Sequence, residues 1–267
     1  MTEGHAQAQV SLLDSEWQRL GEFGLVDCSQ LSPYSIDTEQ LLDDECCLEI
    51  LTRIQPQLGA TDLKVTASLV IKRIAFLTLA PLLSGMAWYD KALDMRIENC
   101  VFEYPLIERL WQSRMPLKHC SVHPLGAHTH RVSWREAMLT HVFKGHLSLL
   151  VEQFHRLTRV PKAVLWENIA VRIFSIYERR ILPILAKHNG ADVAQADFAY
   201  LIDSDTTGIF GVGHNPITRY YYAIPISETG PTATRVRRTC CYYYKATQPA
   251  QYCGTCPLLG KKPSCRS

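Results

Sequence analysis

The chain has 267 residues, 47% of them hydrophobic and 20% charged, which is enough apolar material for a packed core and argues against disorder. Lys and Arg number 28 against 26 Asp and Glu, a net charge of +2. Composition therefore carries no whole-surface signature of nucleic-acid binding, and any basic patch has to be local.

The first residues, MTEGHAQAQVSLLDSEW, hold neither a basic n-region nor an unbroken apolar run, so they do not read as a secretory signal. The most apolar stretch, Ile74 to Tyr89, is too short to cross a bilayer and contains Pro81. The expectation is a soluble cytoplasmic protein with no transmembrane segment and no nucleic-acid partner.

Helical spacing dominates the first two-thirds. Leu41, Leu42, Leu48, Leu51 and Ile54 predict a helix over Thr38–Ile54. A second helix opens near Thr61 and is apolar almost all round, with Pro81 predicted to kink or split it. Ser133-Trp-Arg-Glu136 has the form of a capping box, in which hydroxyl and carboxylate satisfy free N–H groups of the first turn. Pro161 suits the first position of the following helix, which carries Leu165, Ile169, Ile173, Ile176 and Tyr177 on one face. Asn189-Gly190 gives a stop, and a short helix follows near Asp192–Ile202.

After Asp203 the character changes. Gly208, Gly211, Gly213 and Asn215-Pro216 make a loop. Ile217–Ile226, rich in aromatic and β-branched residues, predicts a strand that returns through a turn at Ser227–Pro231 as Thr232–Thr239. The resulting fold class is α+β: a mainly helical body, a C-terminal β-hairpin and a cysteine-bearing tail. The segments are 1–60, an N-terminal helical part; 61–203, the helical body; and 204–267, hairpin and tail.

Ten cysteines are present, and five of them fall from Cys240 onward. In a reducing compartment such clustering points to metal rather than to disulfides. Cys253-Gly-Thr-Cys256 presents two sulfurs to one centre, and Cys240-Cys241, separated from it by eleven residues, can complete four thiolates. Adjacent side chains project in different directions, so a vicinal pair fits a two-iron cluster more easily than one tetrahedral ion. A zinc knob remains the alternative. Cys46-Cys47 has the same vicinal form but lies within a helical stretch and reads as packing.

Cys-Cys followed by Cys-x-x-Cys, preceded by Arg237-Arg-Thr239, resembles the C-terminal signature of FhuF-type ferric-siderophore reductases. Leu165-Trp166-Glu167-Asn168, Lys91-Ala92-Leu93-Asp94 and Asn215-Pro216 are also similar to that family. The resemblance covers about the last two-thirds of the chain. It implies a [2Fe–2S] cofactor held by Cys240, Cys241, Cys253 and Cys256, and reduction of a ferric siderophore, of hydroxamate type, to release Fe(II). The family spacing has ten residues between the pairs; this chain has eleven, and Cys265 is a fifth candidate nearby. A siderophore-handling protein without electron transfer is a further alternative, beside the zinc-stabilised module.

The glycine-rich Gly208–Gly213 stretch is not a dinucleotide fingerprint, because it precedes a predicted strand and lacks the spacing. The direct electron donor is accordingly expected to be a small carrier such as a ferredoxin or flavodoxin. Arg235, Arg237, Arg238 and Lys245, with Lys261, Lys262 and Arg266, are candidates to dock donor or substrate. The run from His119 to His130 reads as a polar loop rather than a second metal site. His141 and His155, about 21 Å apart along one helix, are too far apart to share a metal.

Overall fold

The computed structural model describes residues 11–104, 106–107, 110–187, 190–222 and 235–259. Its helices are α1 (Asp14–Gly21), α2 (Asp44–Leu58), α3 (Leu63–Tyr89), α4 (Arg131–Val142), α5 (Ser148–Thr158), α6 (Lys162–Ile176), α7 (Leu182–Ala186) and α8 (Ala191–Ile202). Short strands pair two by two. β1 (Leu25–Asp27) runs parallel to β7 (Met115–Leu117), and β2 (Ser35–Asp37) antiparallel to β4 (Val101–Glu103). Likewise β3 (Lys91–Leu93) is antiparallel to β8 (Val122–Pro124), and β5 (Leu106–Ile107) to β6 (Leu110–Trp111). The expected α+β class with a helical body holds.

Helix α3 is the axis of the body. Asp62 caps it, its carboxylate accepting from Val65 N–H at 2.9 Å, which satisfies a donor that the first turn leaves free. The 27-residue helix is buried nearly all round, because α1, α2, α5 and α6 all pack against it. It is long and apolar enough to cross a membrane, but 83% of its most apolar window is buried inside the protein. Each large aliphatic side chain so buried contributes about 1.5–3 kcal/mol. Pro81 is fully enclosed and α3 continues through it without a break.

Several boundaries differ from the sequence expectation. The stretch predicted as one helix over Thr38–Ile54 divides into a 3-10 segment (Thr38–Leu42) and α2. Asp43 makes the division, its carboxylate accepting from Cys46 N–H at 2.9 Å and so starting a new helix. α4 opens at Arg131, ahead of Ser133, which falls within the first turn. Arg131 fixes that turn by donating to Asp197 at 2.6 Å, to the Met86 carbonyl at 3.2 Å and to Asp90. Two π-helical turns, Phe143–Leu147 and Tyr177–Ile181, extend α4 and α6. The first separates His141 from His155, which therefore lie on different helices.

The described ends of the predicted hairpin are not strands. Asn215 Oδ1 accepts from the N–H groups of Ile217 and Thr218, while its Nδ2 donates to the Leu201 and Asp203 carbonyls. This coils Thr218–Tyr220 into a 3-10 turn. From Arg235 to Thr239 the backbone bonds go to a carboxylate and a neighbouring loop instead of a ladder. The rest of the hairpin, 223–234, lies outside the described residues.

Candidate metal centre

The body supplies the bed on which the cysteine tail lies. On α6, Leu165 is fully buried and Trp166 packs edge-on against Phe210, ring centroids 5.9 Å apart. The next two residues, buried although polar, reach the tail. Glu167 accepts from the N–H of Arg238 at 2.6 Å, from the N–H of Thr239 at 2.7 Å, and from the Thr239 hydroxyl. Asn168 Nδ2 donates to the carbonyl and hydroxyl of Ser68 on α3, at 2.7 and 2.9 Å. Ser68 Oγ in turn donates to the Cys241 carbonyl at 3.0 Å. Two consecutive residues of α6 and one of α3 thus fix Arg238–Cys241. Carboxylate-to-amide bonds of this kind are about twice as strong as neutral ones.

Beyond Cys241 the chain reverses. Tyr242 adopts a left-handed φ of 63°, uncommon for an aromatic residue, and its N–H points at Cys240 Sγ, 3.3 Å away. A 3-10 turn at Tyr243–Ala246 follows. It meets the body where Gly59, itself at φ 66°, would place a Cβ 3.1 Å from the Ala246 carbonyl. Tyr244 and Tyr252 stack with centroids 5.3 Å apart, closing the loop between the cysteine pairs. Cys256 N–H donates to the Cys253 carbonyl at 2.9 Å, and Arg237 N–H to the Thr255 carbonyl at 2.9 Å. The second contact ties the two cysteine-bearing limbs together.

The four sulfurs fall into two pairs. Cys241 Sγ and Cys253 Sγ are 3.8 Å apart, and Cys240 interacts with Cys256. Cys241 and Cys256 are buried. The Cys241 thiol is held down at about 5, first by its hydrogen bond with Cys253, then by the charges of Lys72 and Arg237 acting against burial. Cys253, the partner in that bond, is pushed up. The positive charge of Lys72 and Arg237 acts on both sulfurs of this pair in the direction that favours thiolate.

Arg237 bears on this directly. Its side chain is 1% exposed and its Nε donates to the Thr239 carbonyl at 3.2 Å, yet neither terminal nitrogen has a hydrogen-bond partner. The closest Glu167 oxygen is 3.7 Å away. A buried guanidinium with free N–H groups beside four thiols is a ready donor to sulfur or to an anionic group bound by sulfur. Among the described residues no three His, Cys, Asp or Glu side chains converge on a point that would hold a single ion. An all-thiol donor set arranged as two pairs, under positive charge, fits a binuclear iron–sulfur group better than one tetrahedral ion.

Residues 68–219, more than half of the chain, match the family described as ferric iron reductase FhuF-like transporter. The chain belongs to this family. Residues 237–258 match the FhuF 2Fe-2S C-terminal domain, so the tail of this FhuF-like protein is a [2Fe–2S] segment, and it contains all four cysteines. No curated protein matches the chain. Among solved structures, aerobactin synthetase IucC from a hypervirulent pathotype of Klebsiella pneumoniae is similar at 15% identity and a TM-score of 0.49. That likeness covers 72% of this chain and 37% of the synthetase, so the chain spans little more than a third of it.

The tail cations have varied settings. Arg235 pairs with Glu178 at 3.0 Å and lies over Tyr221; Arg237 is buried; Arg238 and Lys245 are exposed, over Tyr222 and Tyr242. Lys261, Lys262, Cys265 and Arg266 lie outside the described residues. His119, His123, His128 and His130 gather no metal-binding group among the described residues, and the His123 ring lies edge-on to that of His141, centroids 6.4 Å apart. Sequence reasoning did not single out Ser68, Lys72 or Arg172, because their relation to the cysteines arises only when α3 and α6 pack. Glu167 and Asn168 were visible as a family likeness, without a role.

Proposed function

We propose that this FhuF-like protein releases iron from ferric siderophores of the hydroxamate class in the bacterial cytoplasm. It would do so by one-electron reduction of Fe(III) to Fe(II), with a [2Fe–2S] group held by Cys240, Cys241, Cys253 and Cys256. The observation that carries the reading is the pairing of these four thiols on a bed of α3 and α6 that is positively charged on its inner side. When bound, such a group supplies a one-electron relay with a potential somewhere within roughly −700 to +450 mV.

The chain's own residues do the rest. Glu167, Asn168 and Ser68 orient the vicinal pair, and the Arg237–Thr255 bond sets the second pair against it. Lys72 and Arg237 favour thiolate over thiol and offset the negative charge that accompanies four thiolates and iron. Arg237 also offers two N–H-bearing nitrogens, and donors to sulfur raise a cluster's potential. Exposed Arg238 and Lys245 are placed to steer an acidic one-electron donor of ferredoxin or flavodoxin type. Hard oxygen ligands hold Fe(III) much more tightly than Fe(II), so one electron loosens the chelate and the freed oxygens take up protons from solvent.

The test is anaerobic purification with spectra and metal counts. The dithionite-reduced protein is then mixed with a ferric trihydroxamate and a ferrous-iron trap. The expected result is a red-brown protein that is reoxidised while it delivers Fe(II) stoichiometrically. A colourless zinc protein would sink the reading in favour of a structural zinc module. An iron–sulfur protein that yields no Fe(II) would leave a siderophore-handling role without electron transfer.

A further inference from the structure

Three arginines outside the tail crowd a single ring. The ζ carbons of Arg73 on α3, Arg172 on α6 and Arg180 in the π turn lie 5.6, 5.5 and 5.6 Å from the centroid of Phe76. Arg180 also lies 5.3 Å from the Phe23 centroid. None of the three, and neither Lys72 beside them, has a carboxylate partner among the described residues. Such crowding is unfavourable when uncompensated. Here it is held in place by neutral groups: Arg73 donates to the Ser113 carbonyl at 3.0 Å and Arg172 to the Lys72 carbonyl at 3.3 Å. Arg73 Nε is buried and unpaired. Arg180 is exposed, while Lys72, Arg73, Phe76 and Arg172 are half-buried.

This cationic face adjoins the metal centre. Lys72, which with Arg172 interacts electrostatically with Cys241, lies one turn of α3 beyond Ser68, whose hydroxyl holds the Cys241 carbonyl, and Phe76 follows one turn later, about 12 Å along the helix from Ser68. We propose that the Arg73–Arg172–Arg180 face around Phe76 is the docking site for a negatively charged ferric chelate. Within the hydroxamate class this would be a siderophore that also carries carboxylate groups, so that its ligand charge exceeds that of Fe(III). This inference rests on the reductase reading above and narrows its substrate class. Fixed guanidiniums around one ring match a compact multivalent anion, whereas a protein partner generally uses a wider footprint of about 800 Å² per side. The cavity beside Thr255, lined by Glu167, Phe174, Glu178, Arg235 and Arg237, is the weaker candidate. It measures about 200 Å³, below the roughly 300–1,000 Å³ of typical ligand pockets, and two of its cations face Glu178 and Glu167.

Binding and electron transfer can be tested apart. Gallium(III) citrate, an anionic and redox-inert analogue of a ferric chelate, is titrated calorimetrically into the oxidised full-length protein beside neutral gallium(III) tris-acetohydroxamate. The wild type is expected to bind the citrate complex more tightly, with affinity falling as salt rises. Arg180→Glu, a change at an exposed position, should weaken it at least ~tenfold. Arg73→Gln should weaken it less, and both variants should keep the cluster spectrum and their affinity for the neutral complex. In parallel, the reduced proteins are reoxidised by the matching Fe(III) complexes. Binding lost in Arg180→Glu, with no reoxidation of wild type by either complex, would keep the site and refute the reductase reading. Reoxidation of wild type with citrate-complex binding absent, or unchanged in Arg180→Glu, would overturn the site and spare the reductase. So would an effect of Arg180→Glu confined to reduction by an acidic ferredoxin, which would assign the face to the electron donor.

Discussion

Nearly all of α3 is enclosed by neighbouring helices, with side chains of ordinary apolar character and an N-terminal cap of its own. Residues 235–259 present the opposite case. Their regular structure is one 3-10 turn, and the residues they bury are Arg237, Cys241 and Cys256, a cation and two thiols rather than a hydrophobic face. The body holds its shape by burying apolar area. The tail holds its shape by contacts with other groups: Glu167, Ser68, its own cysteine pairs and the metal group they fit. A segment of that length cannot bury enough apolar area alone to offset the entropy of ordering it. The tail should therefore come loose without disturbing the body, while damage to α6 should reach the tail.

The largest expected effect separates the two regions outright. Cys→Ser at any of positions 240, 241, 253 or 256 should take iron from about two per chain to none, with loss of visible absorbance. The far-ultraviolet circular dichroism and the unfolding of the helical body should change little, while protease cleavage within 235–259 should become fast. Retention of the cluster in Cys241→Ser with its loss in Cys265→Ser would break the ligand assignment. Unfolding of the whole protein in these variants would break the comparison itself.

Glu167→Ala comes next, because it attacks the tail from the body's side. It removes three bonds to a charged acceptor, each worth about 1.5–3 kcal/mol in a buried setting, and strips Arg237 of its nearby carboxylate. Release of the tail caps the loss, so roughly 3–5 kcal/mol of docking should disappear. The signature is apoprotein that proteolyses at the tail and takes up iron incompletely on reconstitution. Glu167→Gln keeps an acceptor for one of the amides and should fall between. Full cluster occupancy in Glu167→Ala would show that the metal group alone orders the tail.

How much of this was legible beforehand follows the same division. Apolar periodicity exposed α3, α6 and α8, since Ile169, Ile173 and Ile176 recur at the spacing that burial against α3 requires. It missed the Asp43 break and the two π turns, which depend on single hydrogen bonds and on packing rather than on pattern. The cysteine quartet was readable because thiol chemistry is rare and its spacing informative. The strand expected from Ile217 failed over its described part, because β-propensity is overridden where Asn215 ties both Ile217 and Thr218. The cations near Phe76 are dispersed along the sequence at 73, 172 and 180, so no local pattern announces them. The basic run beside the cysteines drew notice instead, although two of its members, Arg235 and Arg237, face carboxylates in the fold.

The smallest effect belongs to the body and is resolved by pH. His146, in the π turn after α4, is completely buried; its Nδ1 lies 2.9 Å from the Met95 carbonyl and its Nε2 has no partner. Burial pushes its pKa down from 6.5 to about 4, outweighing the bond to Met95 and the charge of Glu98. Above pH 6.5 the ring is neutral in both folded and unfolded chains, and the site is fully stabilising. As pH falls from 6.5 towards 4 only the unfolded chain takes up the proton, so stability drops, by on the order of 3 kcal/mol across that window. His146→Gln removes the titration. Its stability relative to wild type, from urea unfolding at pH 7.5 and pH 4.5, should thus improve as the pH is lowered, even where Gln packs less well at neutral pH. A constant difference between the two pH values would mean that the ring is hydrated or already protonated in the fold. Because His146 lies apart from the tail, the apoprotein and the cluster-loaded protein should give the same pH slope. A slope that depends on the cluster would show that the two regions are not independent after all.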